Sequence, residues 1–289
     1  YTRALYEQPY DNENSFGPTY GAHREALEFN RDEYKELQRY AKQRELTFFA
    51  TAFDFDSADM LADLDMPAYK LASGDLFNTP LQKHIAKIGK PMFLSTGGGS
   101  FEDIQRACDA ILPINPQLCI MHCTASYPAD VSDLNLGVIV KLNELYPDKV
   151  IGLSDHENGI DCAIVAYMLG ARVFEKHFTL NHAWKGTDHA FSLEPAGLKK
   201  MIRDLRRIPT AVGDGVKKRL PCEEKPLFKM GKKLAATRNL PAGHVLTAAD
   251  IAIKSPGDGI PPYHLDTVIG RKLKTALHED ESIRFEMLG

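Results

Sequence analysis

Hydroxyl groups, one lysine and a run of three glycines recur at the ends of short apolar runs in this chain. The run at 47–53 offers Thr51, and the run at 68–73 offers Lys70 and Ser73, followed by Gly74 and Asp75. The run at 91–96 ends in Ser95 and Thr96 before Gly97, Gly98 and Gly99. The run at 118–124 leads into Thr124, Ala125, Ser126, Tyr127 and Pro128; that at 150–155 ends in Ser154, Asp155 and then His156. A last run at 173–178 contains Glu175 and His177. An oxyanion such as phosphate needs donors, one positive charge and close backbone approach. Serine and threonine are ordinary loop residues, so the weight lies in their recurrence at six ends.

His156 and His177 close consecutive runs and are therefore expected to be spatial neighbours. Alternation places Val173, Glu175 and His177 on one face. Two neutral imidazoles, with water and substrate oxygens completing the shell, suit a divalent transition metal; the alternative is a pair of core or solvent-facing histidines. His122 lies within a run and reads as a hydrogen-bonded core residue. His182 and His189 flank a polar loop in which Asp188 either contacts substrate hydroxyls or caps the loop. Cys119 and Cys123, four residues apart on an extended run, are separated by roughly 13 Å, too far for a disulfide. They read as core; Cys108, Cys162 and Cys222 are unremarkable, and no Cys-x-x-Cys appears.

The elements that must position these residues follow a regular pattern. Asn30, with Glu33 three residues later, predicts a capped helix running to about Arg44. Beyond it, the six apolar runs alternate with helical patterns near 56–65, 79–88, 100–112, 133–147, 159–169 and 195–208. Such alternation indicates βα units and a parallel sheet buried on both faces, with ligands at the carboxyl ends of the strands. Six strands satisfy an open doubly wound sheet, whereas a (β/α)8 barrel needs eight. Residues 1–212 are read as this domain, 213–233 as a linker, and 234–289 as a small strand-rich module with turns at Pro241-Ala242-Gly243 and Pro256-Gly257-Asp258-Gly259.

Composition narrows the function classes. The 289 residues carry 35 Lys and Arg against 39 Asp and Glu, a net charge of −4, which gives nucleic-acid binding no support. Between Pro195 and Leu240 there are 13 basic residues against 4 acidic ones, read either as a solvated helix with its linker or as an anion-binding surface. No apolar run approaches the roughly 20 residues that span a bilayer, and no signal-peptide pattern opens the chain. Five cysteines without a disulfide pattern fit a reducing compartment. The expectation is a soluble cytoplasmic protein with no membrane or nucleic-acid partner.

Several segments resemble the sialic acid synthases in order and spacing: Lys70-Leu71-Ala72-Ser73-Gly74-Asp75, Leu94-Ser95-Thr96-Gly97, His122-Cys123-Thr124 with Tyr127-Pro128, and Gly152-Leu153-Ser154-Asp155-His156. Glu175-Lys176-His177-Phe178-Thr179 and Lys185-Gly186-Thr187-Asp188-His189 extend the match. Leu240-Pro241-Ala242-Gly243 and Ile269-Gly270-Arg271-Lys272 resemble that family's antifreeze-like (SAF) domain. The resemblance covers essentially the whole chain. It implies a TIM (β/α)8 barrel followed by an SAF domain, and condensation of phosphoenolpyruvate with N-acetylmannosamine or its 6-phosphate to give a sialic acid and phosphate. It further implies that His156 and His177 bind a divalent metal, Mn2+ first, with Mg2+ or Co2+ as alternatives. Thr51, Lys70, Ser73, Ser95 and Ser154 would hold phosphoenolpyruvate; Asp75, Tyr127 and Asp188 would face the sugar. Asp75, His156, His177 and Asp188 would form the catalytic set. A domain-swapped homodimer is the implied assembly.

Three departures bear on the acceptor: Ala125 and Ser255 stand where bacterial members commonly have Asn and Arg, and Asp75 where many have Glu. The resemblance also places Tyr1 beyond the family's second strand, predicting that the first two βα units are absent and that a chain beginning at Tyr1 is incomplete as a catalyst. Another metal-dependent 3-deoxy sugar acid synthase and a catalytically inactive sugar-binding paralogue are the alternative readings.

Overall fold

The computed structural model describes residues 1–289, which form two compact units, Tyr1–Val212 and Gly213–Gly289. In the first, α1 (Arg3–Tyr6) and α2 (Tyr20–Glu25) precede α3 (Arg31–Gln43). The Asn30 side chain accepts from the N–H groups of Asp32 and Glu33, and the Glu33 carboxylate accepts from the Asn30 N–H at 2.7 Å. This reciprocal cap is what the Asn-x-x-Glu spacing predicts, because each side chain satisfies a donor that the helix cannot.

Strands and helices then alternate: β1 (Ala50–Thr51), α4 (Phe55–Asp63), β2 (Tyr69–Leu71), α5 (Thr79–Ala86), β3 (Met92–Ser95) and α6 (Phe101–Ile111). They continue with β4 (Leu118–Cys123), α7 (Val138–Leu145), β5 (Val150–Asp155), α8 (Asp161–Met168), β6 (Val173–Lys176) and α9 (Pro195–Val212). All six strands are parallel, and each neighbours the next in sequence, from β1 to β6. A doubly wound sheet reverses its strand order at a switch point. This sheet has no reversal; it is a curled part of a (β/α) barrel.

The strands are shorter than the apolar runs that announce them. The run at 47–53 pairs only at Ala50 and Thr51, opposite Tyr69 and Lys70. After Leu71 the chain leaves the ladder, and Ser73–Asp75 forms a single 3-10 turn. Alternation sends Leu71, Leu94, Ile120, Ile151 and Leu153 outward against Leu61, Leu81, Ile85, Ile104, Ile111, Ile139 and Leu142 of the helices. Each fully buried aliphatic side chain contributes roughly 1.5–3 kcal/mol, so this layer fixes the positions of the strand ends.

The second unit contains α10 (Glu224–Met230), β7 (Lys233–Ala236), β8 (Ile251–Lys254) and α11 (Leu265–Val268), with β7 and β8 antiparallel. It is less strand-rich than its pattern predicts. Beyond the four-residue pair, its extended segments meet only at single bridges such as Leu240 with Leu277 and Leu273 with Leu288. Tight turns interrupt every longer pairing, among them those at Gly243 and Gly270, whose φ values are 85° and 84°. Leu234, Leu240, Leu246, Val268, Leu273 and Ile283 supply a core of its own. No helix in either unit is long and apolar enough to cross a membrane.

Candidate active site

A cavity of about 560 Å³ opens at the carboxyl ends of the six strands. Thr51, Lys70, Ser73, Ser95, Tyr127, Ser154, His156, His177 and Asp188 all line it. The sheet register explains part of this convergence. Thr51 lies opposite Lys70, and Cys123, Ser154 and Glu175 form one lateral row across β4, β5 and β6. A hollow of similar size, about 590 Å³, lies against α9 among aliphatic and basic side chains. It gathers no hydroxyl, imidazole or carboxylate and offers no comparable chemistry.

One half of the cavity is built around Lys70, which is 7% exposed. Its Nζ donates to the Leu71 carbonyl at 3.2 Å and lies 3.6 Å from Glu175 Oε1. Ser154 Oγ donates to that same carboxylate oxygen at 2.6 Å. An ammonium has three donors, so Lys70 keeps capacity for an incoming anion. Ser73 Oγ accepts from the Gly97 N–H at 3.0 Å and donates to Cys123 Sγ at 3.4 Å. Position 97 must be glycine: a Cβ there would stand 2.8 Å from Ser73 Oγ and 2.9 Å from the Ala125 Cβ. Ser95 is buried, and its hydroxyl has no hydrogen-bond partner. A buried hydroxyl left without one costs about 1–3 kcal/mol, which a ligand oxygen would recover.

The two imidazoles meet as the strand order requires, with ring centroids 5.2 Å apart. The Tyr127 ring lies 4.2 Å from His156 and 5.8 Å from His177. His156 Nδ1 donates to the Thr124 carbonyl at 2.9 Å, so its Nε2 carries the lone pair. A metal-binding histidine usually has its other ring nitrogen held by an oxygen in this way. Burial pulls the His156 pKa down, but Cys123, the Thr124 carbonyl and Glu175 outweigh it and leave the value raised. His177 is shifted down by burial, with Asp188 opposing, its Oδ2 3.6 Å from Nδ1. One imidazole anchored by a carbonyl and a second beside a carboxylate are a ligand pair that a divalent ion accepts.

With this geometry in place, comparison with known proteins identifies the lineage. The NeuB family model matches residues 1–217, and the SAF domain model matches residues 233–289. The chain belongs to the NeuB family. It is 38% identical to human N-acetylneuraminate-9-phosphate synthase over 289 residues, covering all of this chain and 80% of that protein. It is 35% identical to Campylobacter jejuni N,N'-diacetyllegionaminic acid synthase, over 89% of this chain and 78% of that one. Among solved structures, N-acetylneuraminic acid synthetase from Leptospira borgpetersenii, in complex with citrate, superposes with a TM-score of 0.65 at 31% identity. That match covers 73% of this chain and 74% of the other. Bacillus subtilis SpsE, a spore coat polysaccharide biosynthesis protein, gives 0.63 at 27% identity over all of this chain and 84% of its own.

Within this NeuB chain, one residue singled out by sequence lies apart from the cavity. The Asp75 carboxylate accepts from Asn78 Nδ2 at 2.9 Å, and its carbonyl accepts from Gln82 Nε2 at 2.8 Å. The 3-10 turn at 73–75 directs Ser73 to the cavity and Asp75 toward α5. Other lining residues went unrecognised in the sequence. Tyr10, Tyr20, His23 and Arg24 come from the turn-rich first segment and close the far wall. Thr19 Oγ1 caps α2 by accepting from the Ala22 N–H at 3.2 Å, and the Tyr10 ring lies 5.6 Å from Tyr20 and 4.7 Å from His23. The local signal was the density of aromatics beside His23-Arg24 in a stretch with no period. Cys123, read as core, also lines the cavity, and burial of its thiol is outweighed by His156, Ser73 and Ser154, which hold its pKa below the usual thiol value.

Proposed function

We propose that this protein condenses phosphoenolpyruvate with the open-chain aldehyde of an N-acetylmannosamine-type amino sugar, as its 6-phosphate, giving a nine-carbon nonulosonate 9-phosphate and one inorganic phosphate from the enol phosphate. The observation that carries the reading is the convergence of Lys70, Ser73, Ser95 and Ser154 on one cavity, with the Ser95 hydroxyl buried and unpartnered. Lys70 takes up the charge of the enol phosphate and Ser95 and Thr51 donate to its oxygens, while Ser73 and Ser154 donate to it only by giving up Cys123 and Glu175. The phosphoenolpyruvate methylene carbon forms a bond to the aldehyde carbon, water adds to the cationic centre left behind, and phosphate departs with the bridging oxygen. Glu175, held by Ser154 and facing Lys70, is the carboxylate placed to hold a proton during water addition. His156 and His177 would hold the divalent ion, Mn2+ first, with Mg2+ or Co2+ as alternatives; when bound it supplies Lewis acidity toward the aldehyde oxygen.

Asp188 and Tyr127 are assigned to the sugar side, and Asp75 joins them only by giving up Asn78. Arg24 is a second cation on the cavity wall, and its Nε is buried with no partner. Its Nη2 pairs with Glu28 at 3.7 Å, so a phosphorylated acceptor would supply the partner that Nε alone is missing, which favours the 6-phosphate over the free sugar. All five cysteines are unpaired, which supports a reducing, cytoplasmic compartment.

The test is phosphate release from phosphoenolpyruvate with Mn2+, with the acceptor omitted, free or 6-phosphorylated, alongside calorimetric titration of phosphoenolpyruvate into the chain. Release that depends on acceptor and metal, fastest with the 6-phosphate, is expected. Neither phosphoenolpyruvate binding nor acceptor-dependent release would overturn the reading.

A further inference from the structure

Behind His156, the chain turns through Glu157 to Gly159 and enters α8 at Asp161 and Cys162. The ligand atoms of Glu157, Asp161 and Cys162 all lie within 4.8 Å of one another. Glu157 is 9% exposed, and its Oε2 is buried with no hydrogen-bond partner. The nearby lysine does not satisfy it: Lys176 Nζ donates to Asp155 Oδ2 at 3.0 Å and to the Glu157 carbonyl rather than its carboxylate. Asp155 and Lys176 therefore neutralise each other, with side chains 2% and 4% exposed. Glu157 and Asp161 form no ion pair; Glu157 and Cys162 are buried, and Asp161 is exposed at the edge of the group.

The loop leaves room for something between these groups. A Cβ on Gly159 would stand 2.8 Å from Glu157 Oε2, 2.9 Å from Glu157 Oε1 and 2.9 Å from Asp161 Oδ1. Three carboxylate oxygens thus face a space that only the absence of a side chain keeps open. Burying a charged oxygen without a partner is costly, and a cation is the partner that two carboxylates and a thiol would accept. The oxygen donors alone would suit Mg2+ or Ca2+, but the sulfur shifts the preference to a borderline ion of the Zn2+ type.

We propose that Glu157, Asp161 and Cys162 form a second divalent-cation site, separate from the His156 and His177 pair and selective for ions that accept both oxygen and sulfur. On binding, the Cys162 thiol gives its proton to solvent and the thiolate coordinates; no electron is transferred. The ion ties the loop after β5 to the first turn of α8. Because that loop begins at His156, a filled second site holds the backbone of the catalytic-side imidazole in place.

Cobalt(II) titration of the whole chain, followed by absorbance, separates the two sites, because only a thiolate ligand produces the near-ultraviolet charge-transfer band. The band is expected in the unaltered chain, in the His156→Ala/His177→Ala variant and in Cys123→Ser, which removes the cavity thiol. It should vanish in Cys162→Ser. Glu157→Gln removes a ligand, and Gly159→Ala keeps all three ligands but fills the space between them. Each should weaken cobalt binding by more than the ~10–100-fold that loss of an outer-shell partner costs. A band that is absent from the unaltered chain, survives Cys162→Ser or disappears with Cys123→Ser would overturn the proposal. So would unchanged cobalt affinity in both Glu157→Gln and Gly159→Ala.

Discussion

Ser95 carries the sharpest conflict between stability and function in the molecule. Its hydroxyl is buried on the cavity wall with nothing to bond, so the ligand-free fold bears the penalty. Ser95→Ala should therefore leave the free protein as stable or raise its stability by about 1 kcal/mol, read as an unchanged or higher melting temperature. The same change removes a donor to a charged ligand, an interaction of about 1.5–3 kcal/mol, so kcat/KM for phosphoenolpyruvate should fall by roughly 10–100-fold. A variant that loses both stability and activity would assign Ser95 to packing. Gly97 shows the complementary constraint, where the close approach of Ser73, Ala125 and Cys123 excludes any side chain. The glycine run was visible in the sequence, but which glycine meets which neighbour depends on strands 24 and more residues away.

Among the elements, the turn that leads into β8 combines local and long-range bonding. Asp250 is fully buried and accepts from the Thr247 N–H at 2.9 Å, Thr247 Oγ1 at 2.7 Å, His244 Nε2 at 2.9 Å and Arg238 at 2.6 Å. These bonds, His244 first and Thr247 next, hold its carboxyl well below the usual carboxylate range. A carboxyl depressed in the folded state adds stability above its unfolded pKa, near 4, and that stability drains away as pH falls toward the folded value. The second unit should thus weaken on acidification below about pH 4. Asp250→Asn should be destabilised at pH 7, with the gap to the unaltered protein closing as pH falls. Circular dichroism melts across that range give the answer, and a gap independent of pH would remove the charge from the account. The Thr247-x-x-Asp250 spacing is readable in the sequence, whereas the His244 and Arg238 contributions require the fold.

At the scale of the whole molecule, the second unit has a small core and leaves Tyr263 80%, Ile253 54% and Phe285 52% exposed. Units of this size gain most from additional packing. The family resemblance implies a homodimer in which residues 234–289 of each chain cover the cavity mouth of the other, and we propose that assembly here. Light scattering should report a particle of two chains, and a monomer at micromolar concentration would exclude the exchange.

The sequence alone determined the alternation of six strands with helices, the Asn30 cap, the strand-end hydroxyls and the pair of imidazoles, because periodicity and capping are local properties. Periodicity left open whether the sheet was doubly wound, since six βα units satisfy either architecture; the family resemblance implied a barrel, and the unbroken β1-to-β6 order bears that out. The sequence also singled out Asp75 for the sugar side, where the 3-10 turn after β2 directs the carboxylate to Asn78 instead. The cavity wall formed by Tyr10, Tyr20, His23 and Arg24, and the approach of Glu157, Asp161 and Cys162 to one another, emerged only in three dimensions. Residue types and their local spacing record which groups are available. Which of them share a cavity depends on strand register and on how turns direct side chains, and only tertiary packing sets both.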